Sequence, residues 1–233
     1  MAAAASVADA FDELGRAFTR KTGQSVSFTF GSSGLMARQI LEGAPFDVFA
    51  AADRASIERL GGGVCDAATR HVYAVGRLSL WTRPSSTESP PGSLQALVNA
   101  RFVRIAIANP ETAPYGHAAR EAMQRAGVWD ALAPRIVYAE NVRQALQLAE
   151  TGNAEVALIA RSLVFDRSSN PGVLIDDALH APLEHELIAC RGGSRTEAAR
   201  AFVAFVDSVT GQALLAKHGL ERPTRVIVKR PSP

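Results

Sequence analysis

A strand, a turn of small residues and a helix follow one another between Ser25 and Ile40. Residues Ser25–Phe30 alternate polar and apolar side chains, as a half-buried strand does, and from Ser33 the apolar residues follow helical spacing. The turn between them, Gly31–Gly34, holds two serines and two glycines. A helix that begins there exposes unpaired N–H groups and the positive end of its dipole, so the turn can bind an anion. The simpler interpretation is an ordinary capping serine.

Buried strands and amphipathic helices alternate through both halves of the chain. In the first half, Phe46–Ala50 predicts a buried strand, and Asp53 caps a helix at Arg54–Leu60. The second half has strands at Val103–Ala108, Ile136–Ala139 and Val156–Ala160, with Asn141 capping the helix Val142–Thr151. This order predicts an α/β fold with parallel sheets and helices on both faces. The 233 residues suffice for one large domain or two lobes of about 110 residues each.

Other segments complete the prediction. Tyr73–Trp81 is predicted as one long strand, and Leu183–Cys190 as a strand that leaves the second α/β unit. Ser6 is predicted to open the first helix, with Asp9 completing a capping box. Residues 85–92 are predicted as a polar loop, and the basic tail from residue 221 as loosely held.

Composition excludes several classes of function. Hydrophobic residues make up 47% of the chain and charged residues 21%, as in ordinary globular proteins. The net charge is +2 and the basic residues are scattered, so no nucleic-acid surface or polybasic membrane patch is predicted. No apolar run approaches the roughly 20 residues of a membrane span. The five histidines show no metal-ligand spacing, and no metal site is predicted.

Two cysteines, Cys65 and Cys190, stand far apart and form no recognisable motif. They are either a disulfide, which the spacing cannot reveal, or two partly buried free thiols, which is the interpretation we prefer. The chain starts with Met1 and then Ala2–Ala5, with no signal peptide. We therefore expect either a cytosolic protein or one whose leader has been removed or replaced.

Four predicted helix starts have the same character. They lie at Ser6, at Ser32-Ser33, at Pro114-Tyr115-Gly116 and at Asn141-Val142. In a parallel α/β sheet such turns all lie at the carboxyl ends of strands, where ligands bind. Two come from each half, and none offers a convincing catalytic base. The sequence therefore predicts a cleft between two lobes that binds a small anion through backbone N–H groups and two serine hydroxyls.

Longer motifs lie at these places: Ala3–Phe11, Phe30–Ile40, Glu42–Phe49, Asn109–Gly116 and Tyr138–Leu146. Together they resemble a known family, the periplasmic molybdate-binding proteins of ABC importers. The resemblance runs in register from about Ala3 to Leu220. It implies two Rossmann-like lobes joined by a hinge, in the periplasmic binding protein type II architecture. The expected first lobe is 1–80 plus 192–233, and the second is 81–191.

The resemblance also implies a ligand and its contacts. Molybdate or tungstate would bind through the hydroxyl and amide of Ser6 and Ser33, and through the amides of Tyr115 and Val142. Ala160 stands where the family often has a tyrosine, and Ser32 is a further candidate; both are possible contacts. Molybdenum would enter only as the oxyanion, with no cofactor. The expected partner is the membrane permease of the importer, and the protein is expected to be a periplasmic monomer that binds no nucleic acid.

Three alternatives stay open at this point. A carrier of sulfate or another tetrahedral oxyanion would use the same fold. The ligand-sensing domain of a transcription regulator would need a helix-turn-helix segment, and none precedes Met1 or follows Leu220. An enzyme using Ser6 or Ser33 as nucleophile would need a nearby histidine and aspartate, and neither serine lies in a G-x-S-x-G motif.

Overall fold

The structure, a computed structural model, describes residues 1–84, 91–166, 170–190 and 196–223. Most of the predicted loop 85–92 and of the predicted tail lies outside these ranges. The strands are β1 (Ala2–Ala4), β2 (Thr29–Gly31), β3 (Val48–Ala51), β4 (Cys65–Gly76), β5 (Leu78–Trp81), β6 (Ile105–Ala108), β7 (Ile136–Ala139), β8 (Val156–Ala160), β9 (Val173–Leu174) and β10 (Leu183–Cys190). The helices are α1 (Ala8–Thr22), α2 (Ser33–Leu41), α3 (Arg54–Glu58), α4 (Gly61–Val64), α5 (Pro114–Arg125), α6 (Trp129–Leu132), α7 (Val142–Glu150), α8 (Thr196–Asp207) and α9 (Val209–Lys217).

The first sheet has the strand order β2-β1-β3-β10-β4. Its strand β1 pairs in parallel with β2 and β3, whereas β10 runs antiparallel to β3 and β4. Helix α1 packs on this sheet with Phe11 and Phe18, whose rings meet Phe202 of α8 edge to face. These rings bury large apolar areas and hold α1 in place, which positions the residues just before it.

The second sheet has the order β7-β6-β8-β5-β9. Strand β6 is parallel to β7 and β8, and β5 is antiparallel to β8 and β9. The predicted α/β class is therefore confirmed. The predicted parallel sheets are instead mixed, because β10 and β5 run antiparallel to their neighbours. The inner parallel strands β1, β3, β6 and β8 are short, fully buried apolar runs, because helices cover them.

The chain passes between the sheets at two places, from β4 to β5 and from β9 to β10. The predicted single strand Tyr73–Trp81 is wrong, because β4 ends at Gly76 in the first sheet and β5 starts at Leu78 in the second. Arg77 lies between them and pairs with Asp177 at 2.8 Å. Both sides of the crossing are largely buried and apolar, so the sequence pattern does not reveal it.

The strand Leu183–Cys190, predicted to leave the second α/β unit, is β10, and its register joins it to β3 and β4 of the first sheet. The expected lobe boundaries at 80/81 and 191/192 therefore do not follow the sheets. We use "first lobe" for residues 1–76, 183–190 and 196–223, and "second lobe" for residues 78–84, 91–166 and 170–174.

Cys65 and Cys190 form a disulfide. The preferred interpretation, two free thiols, is therefore wrong. The physical reason is register: Cys190, the last residue of β10, lies opposite Cys65, the first residue of β4. That pairing brings together two residues 125 positions apart, which spacing in the sequence does not indicate.

Two of the three predicted helix caps are confirmed, and the third is wrong. Asn141 accepts hydrogen bonds from the amides of Arg143 and Gln144, as predicted, and Asp53 caps α3. The capping box at Ser6 is wrong, because Ser6 lies in a 3₁₀ turn, Ala5–Val7, and α1 starts after it without a side-chain cap.

Candidate functional site

A small cavity lies where the carboxyl ends of five parallel strands of the two lobes come together. Its volume is about 10 Å³, close to the least that holds one water molecule. The residues that follow β1, β2 and β3 form one side of the cavity, and those that follow β6 and β7 form the other. The cavity is lined by Ala4, Ala5, Ser6, Gly31, Ser32, Ser33, Ala52, Ala113, Pro114, Tyr115, Asn141 and Val142. All of these side chains are uncharged.

Ser33 is the first residue of α2 and is 1% exposed. Its Oγ accepts a 3.0 Å hydrogen bond from the amide of Ala52, just after β3. Because the oxygen is already an acceptor there, the hydroxyl proton remains available to donate to a ligand in the cavity. This bond is to a backbone amide and not to a histidine, so it does not activate Ser33 as a nucleophile.

The Ser32 hydroxyl forms a hydrogen bond between the two lobes. Its hydroxyl donates to the carbonyl oxygen of Thr112, in the second lobe, and the amide of Gly34 donates to the same oxygen at 2.9 Å. One carbonyl of the second lobe thus occupies two donors at the start of α2. Ser32 lines the cavity, but its proton is used in the contact between lobes.

Helix α7 presents one free amide. The Asn141 side chain accepts hydrogen bonds from the amides of Arg143 and Gln144 at 3.1 Å each. Its backbone carbonyl oxygen accepts from the amide of Ala145. Among the described residues, the amide of Val142 has no hydrogen-bond partner. An N-terminal amide left free beside a neutral cavity is a donor for an anion.

Helix α5 starts with Pro114, which has no N–H group. Tyr115 therefore supplies the first amide of α5, and within the described ranges nothing accepts its hydrogen bond. Gly116 lies so close to β6 that a Cβ on it would be 2.1 Å from the carbonyl oxygen of Ala108. That close packing brings the start of the helix to the cavity.

Ser6 is 2% exposed, and its Oγ has no hydrogen bond of normal geometry in the described part of the chain. Its backbone is fixed from the other lobe, because Ser162 Oγ donates to the Ser6 carbonyl oxygen at 2.6 Å. A buried hydroxyl without a partner is unfavourable, so Ser6 is a strong candidate for contact with a ligand.

The structure therefore brings Ser6, Ser33, Tyr115 and Val142 to one cavity, together with Ser32. Ala160 is not among the lining residues. It ends β8, is fully buried and pairs with Leu78 of β5.

Sequence reasoning missed contacts between the lobes, among them those of Ser32 with Thr112, of Ser6 with Ser162, and of Asp9 with Arg143 at 3.1 Å. In each contact the two residues come from different lobes and are far apart in the sequence, so no local motif identifies the pair.

A larger cavity, of about 700 Å³, lies between the end of α1 and α8. Asp47 and Glu197 line it, and their carboxylates would repel an anion. Among the described residues, no cluster of histidine, cysteine and acidic side chains could hold a metal ion, and no helix is long and apolar enough to cross a bilayer.

Two α/β lobes that meet over a cavity lined by helix N-termini define a class, the ligand-binding proteins that enclose a small solute between lobes. The chain belongs to the family of bacterial extracellular solute-binding proteins, whose model matches residues 1–221.

Known relatives agree with this assignment. The chain is 33% identical over 219 residues to the molybdate-binding protein ModA of Rhodobacter capsulatus, covering 94% of this chain and 86% of that one. The periplasmic molybdate-binding protein of Azotobacter vinelandii superposes with a TM-score of 0.88 at 27% identity, covering 96% of this chain and 99% of that one. The sulfate-binding protein SubI of Mycobacterium tuberculosis, 17% identical with a TM-score of 0.80 and covering 96% of this chain and 86% of that one, shares the fold.

Proposed function

We propose that this protein binds molybdate, and also tungstate, as the solute-binding component of an ABC importer. The observation that carries the proposal is the uncharged cavity on which helix N-termini of both lobes converge. The names of the relatives from Rhodobacter and Azotobacter support the choice of oxyanion. On this proposal the protein acts in the periplasm as a monomer and delivers its ligand to a membrane permease.

The proposed contacts are neutral donors. Ser6 and Ser33 would donate from hydroxyl and amide, and Tyr115 and Val142 from the amide alone. Hydrogen bonds to a charged acceptor are stronger than neutral ones, and helix dipoles add to them, so a dianion needs no arginine here. A fixed set of neutral donors can discriminate by size and protonation. A protonated phosphate would place its own O–H against donors with no acceptor to receive it.

Ligand entry requires the cavity to widen. Its volume of about 10 Å³ suits little more than one water molecule, so seating a tetrahedral oxyanion needs an outward adjustment of the lining or a separation of the lobes. We propose a hinge motion at the two chain crossings, which opens the cleft for entry and closes it around the ligand. Closure would present the bound form to the permease.

The test is a comparison of oxyanions on purified protein by thermal shift and calorimetry. Molybdate and tungstate at about 100 times the dissociation constant should stabilise the fold by roughly 2.7 kcal/mol and raise the melting temperature. Sulfate and phosphate at the same concentration should have little effect. Equal shifts with sulfate would show a general oxyanion carrier, and no shift with any oxyanion would reject the proposal.

A further inference from the structure

A buried histidine lies behind the proposed site, between two tyrosines. His185 of β10 is fully buried, and its Nδ1 is 3.4 Å from the hydroxyl oxygen of Tyr73 on β4. Its Nε2 is 3.3 Å from the hydroxyl oxygen of Tyr115 on α5. Tyr73, His185 and Tyr115 thus form a row of hydrogen-bonding side chains that crosses from the first lobe to the second. The row ends on Tyr115, whose backbone amide we assign to the ligand.

The geometry depends on the absence of a side chain at Gly76, the last residue of β4. A Cβ there would lie 2.0 Å from the Tyr115 hydroxyl oxygen and 2.8 Å from His185 Nε2. Any other residue at this position would push the tyrosine away from the histidine.

All three side chains are neutral at ordinary pH. Burial lowers the pKa of His185 to about 3, and burial raises the pKa of Tyr73 and of Tyr115. The neighbouring carboxylates Glu184 and Glu186 alternate to the other face of β10, where Arg54 and Arg70 pair with them. A neutral imidazole has one N–H donor and one acceptor, so the remaining freedom is which nitrogen carries the proton.

Ser6 is the next polar group beyond Tyr115. Both residues line the cavity, and the Ser6 hydroxyl is near enough to oppose the burial-driven rise in the pKa of Tyr115. Ser6 Oγ nevertheless has no hydrogen bond of normal geometry in the described part of the chain. In the arrangement proposed below, the hydroxyls of Tyr115 and Ser6 are hydrogen-bond partners.

The direction of such a row decides what Ser6 offers to a ligand. In one direction Tyr73 donates to Nδ1, Nε2–H donates to the Tyr115 oxygen, and Tyr115 donates to Ser6, which leaves the Ser6 proton for the cavity. In the opposite direction Ser6 donates its proton to Tyr115 and turns its lone pairs toward the cavity. Only the first direction is compatible with a bound anion.

We propose that His185 is a positioning residue that holds its proton on Nε2 and so directs the Tyr73–His185–Tyr115–Ser6 row toward the ligand. The inference rests on the proposed function, because it assumes that an oxyanion receives the Ser6 proton. Neutral groups in series polarise one another, so a correctly directed row makes Ser6 a better donor.

The first test needs no ligand. Nitrogen-15 NMR of protein labelled in histidine, at neutral pH, distinguishes a protonated from an unprotonated ring nitrogen. We expect His185 to carry its proton on Nε2, and Tyr73→Phe, which removes the donor to Nδ1, to weaken this preference. A proton on Nδ1 in the wild type would overturn the proposal, whether or not molybdate binds.

The second test is a double-mutant cycle of molybdate affinity, measured by calorimetry. Tyr115→Phe keeps the backbone amide and should lower affinity about five-fold, the loss expected for one net hydrogen bond. In a Ser6→Ala background the same change should have almost no effect, because the hydroxyl that accepts from Tyr115 and donates to the ligand is then absent. In a matched Ser33→Ala background it should keep its five-fold effect.

The outcomes separate the two proposals. An equal effect of Tyr115→Phe in all three backgrounds would overturn the role of the row and leave the proposed function intact. If wild-type protein does not bind molybdate, the proposed function fails, and the NMR measurement still decides the direction of the row.

Discussion

The amide of Gly34, in the first lobe, donates a 2.9 Å hydrogen bond to the carbonyl oxygen of Thr112, in the second lobe. The hydroxyl of Ser32 donates to the same oxygen. A helix N-terminus that can bind an anion thus also holds a carbonyl of the opposite lobe. The contact that joins the lobes is next to the proposed ligand contacts of Ser33, so closure and binding are expected to depend on each other.

Replacing Gly34 tests this dependence. A Cβ at Gly34 would lie 2.6 Å from the Thr112 oxygen, so Gly34→Ala should hold the lobes apart and lower molybdate affinity at least about tenfold. Gly63→Ala is the matched control, because a Cβ there meets nothing within 4 Å. Calorimetry gives the affinities, and small-angle scattering gives the compaction on ligand addition. Wild-type affinity in Gly34→Ala would show that this contact is not needed for binding.

Ser33→Ala should weaken molybdate binding about ten- to a hundred-fold, because it removes a hydrogen bond to a charged acceptor. Ser33→Asp should abolish binding, since its carboxylate would face the anion. The control is Ser208→Ala, which removes the serine that accepts from Gly211 at the start of α9, remote from the cavity. That variant should lose about 1 kcal/mol of stability and keep its affinity. Unchanged affinity in Ser33→Asp would place the site elsewhere.

Ala160→Tyr tests the position where the family often has a tyrosine. Ala160 is fully buried and does not line the cavity, so the ring should overpack the core and cost about 1–3 kcal/mol of stability. No gain in affinity is expected. Urea unfolding and calorimetry measure the two quantities, and Ala178→Tyr, at an exposed position, is the control. Tighter binding in Ala160→Tyr would return this residue to the ligand contacts.

Replacing both Cys65 and Cys190 by alanine should lower the free energy of unfolding by about 2–4 kcal/mol, because the disulfide restricts the unfolded chain. A reducing agent should destabilise the wild type by a similar amount and leave the double variant unchanged. Urea unfolding with and without the reductant measures both effects. Equal sensitivity of the two proteins would mean that the reductant acts at another place.

His71 should stabilise the fold in acid more than in base. Its hydrogen bond to Asp207 raises its pKa from 6.5. Because the folded-state pKa is the higher one, the stabilisation is complete below the unfolded pKa and is lost as pH rises through the folded pKa. Wild type and His71→Gln should therefore differ more in unfolding free energy at about pH 5.5 than at about pH 8.5. A difference independent of pH would exclude a titrating pair.

Local chemistry explains what the sequence could predict. Asn141 caps α7 with its own side chain, and Val156–Ala160 is a run of apolar residues, so both are readable within a few positions. The crossing at Arg77, which pairs with Asp177, and the pairing of Cys65 with Cys190 depend on residues a hundred or more positions away. Ser6 lines the cavity, as the turn pattern predicts, and its role in ligand binding stays a prediction. Its expected role as a helix cap is wrong, because a 3₁₀ turn precedes α1.

The placement of β10 in the first sheet has a consequence for how the chain assembles during synthesis. The second lobe is continuous in sequence, so its strands can pair as soon as β9 has been made. The first sheet must wait for β10, because β10 separates β3 from β4 and pairs Leu187 with Ala50. Contacts between residues so far apart slow folding, since a long loop must close first. The lobe that contains the N-terminus is therefore expected to be the last to complete its sheet, and Cys65 remains without its disulfide partner until then.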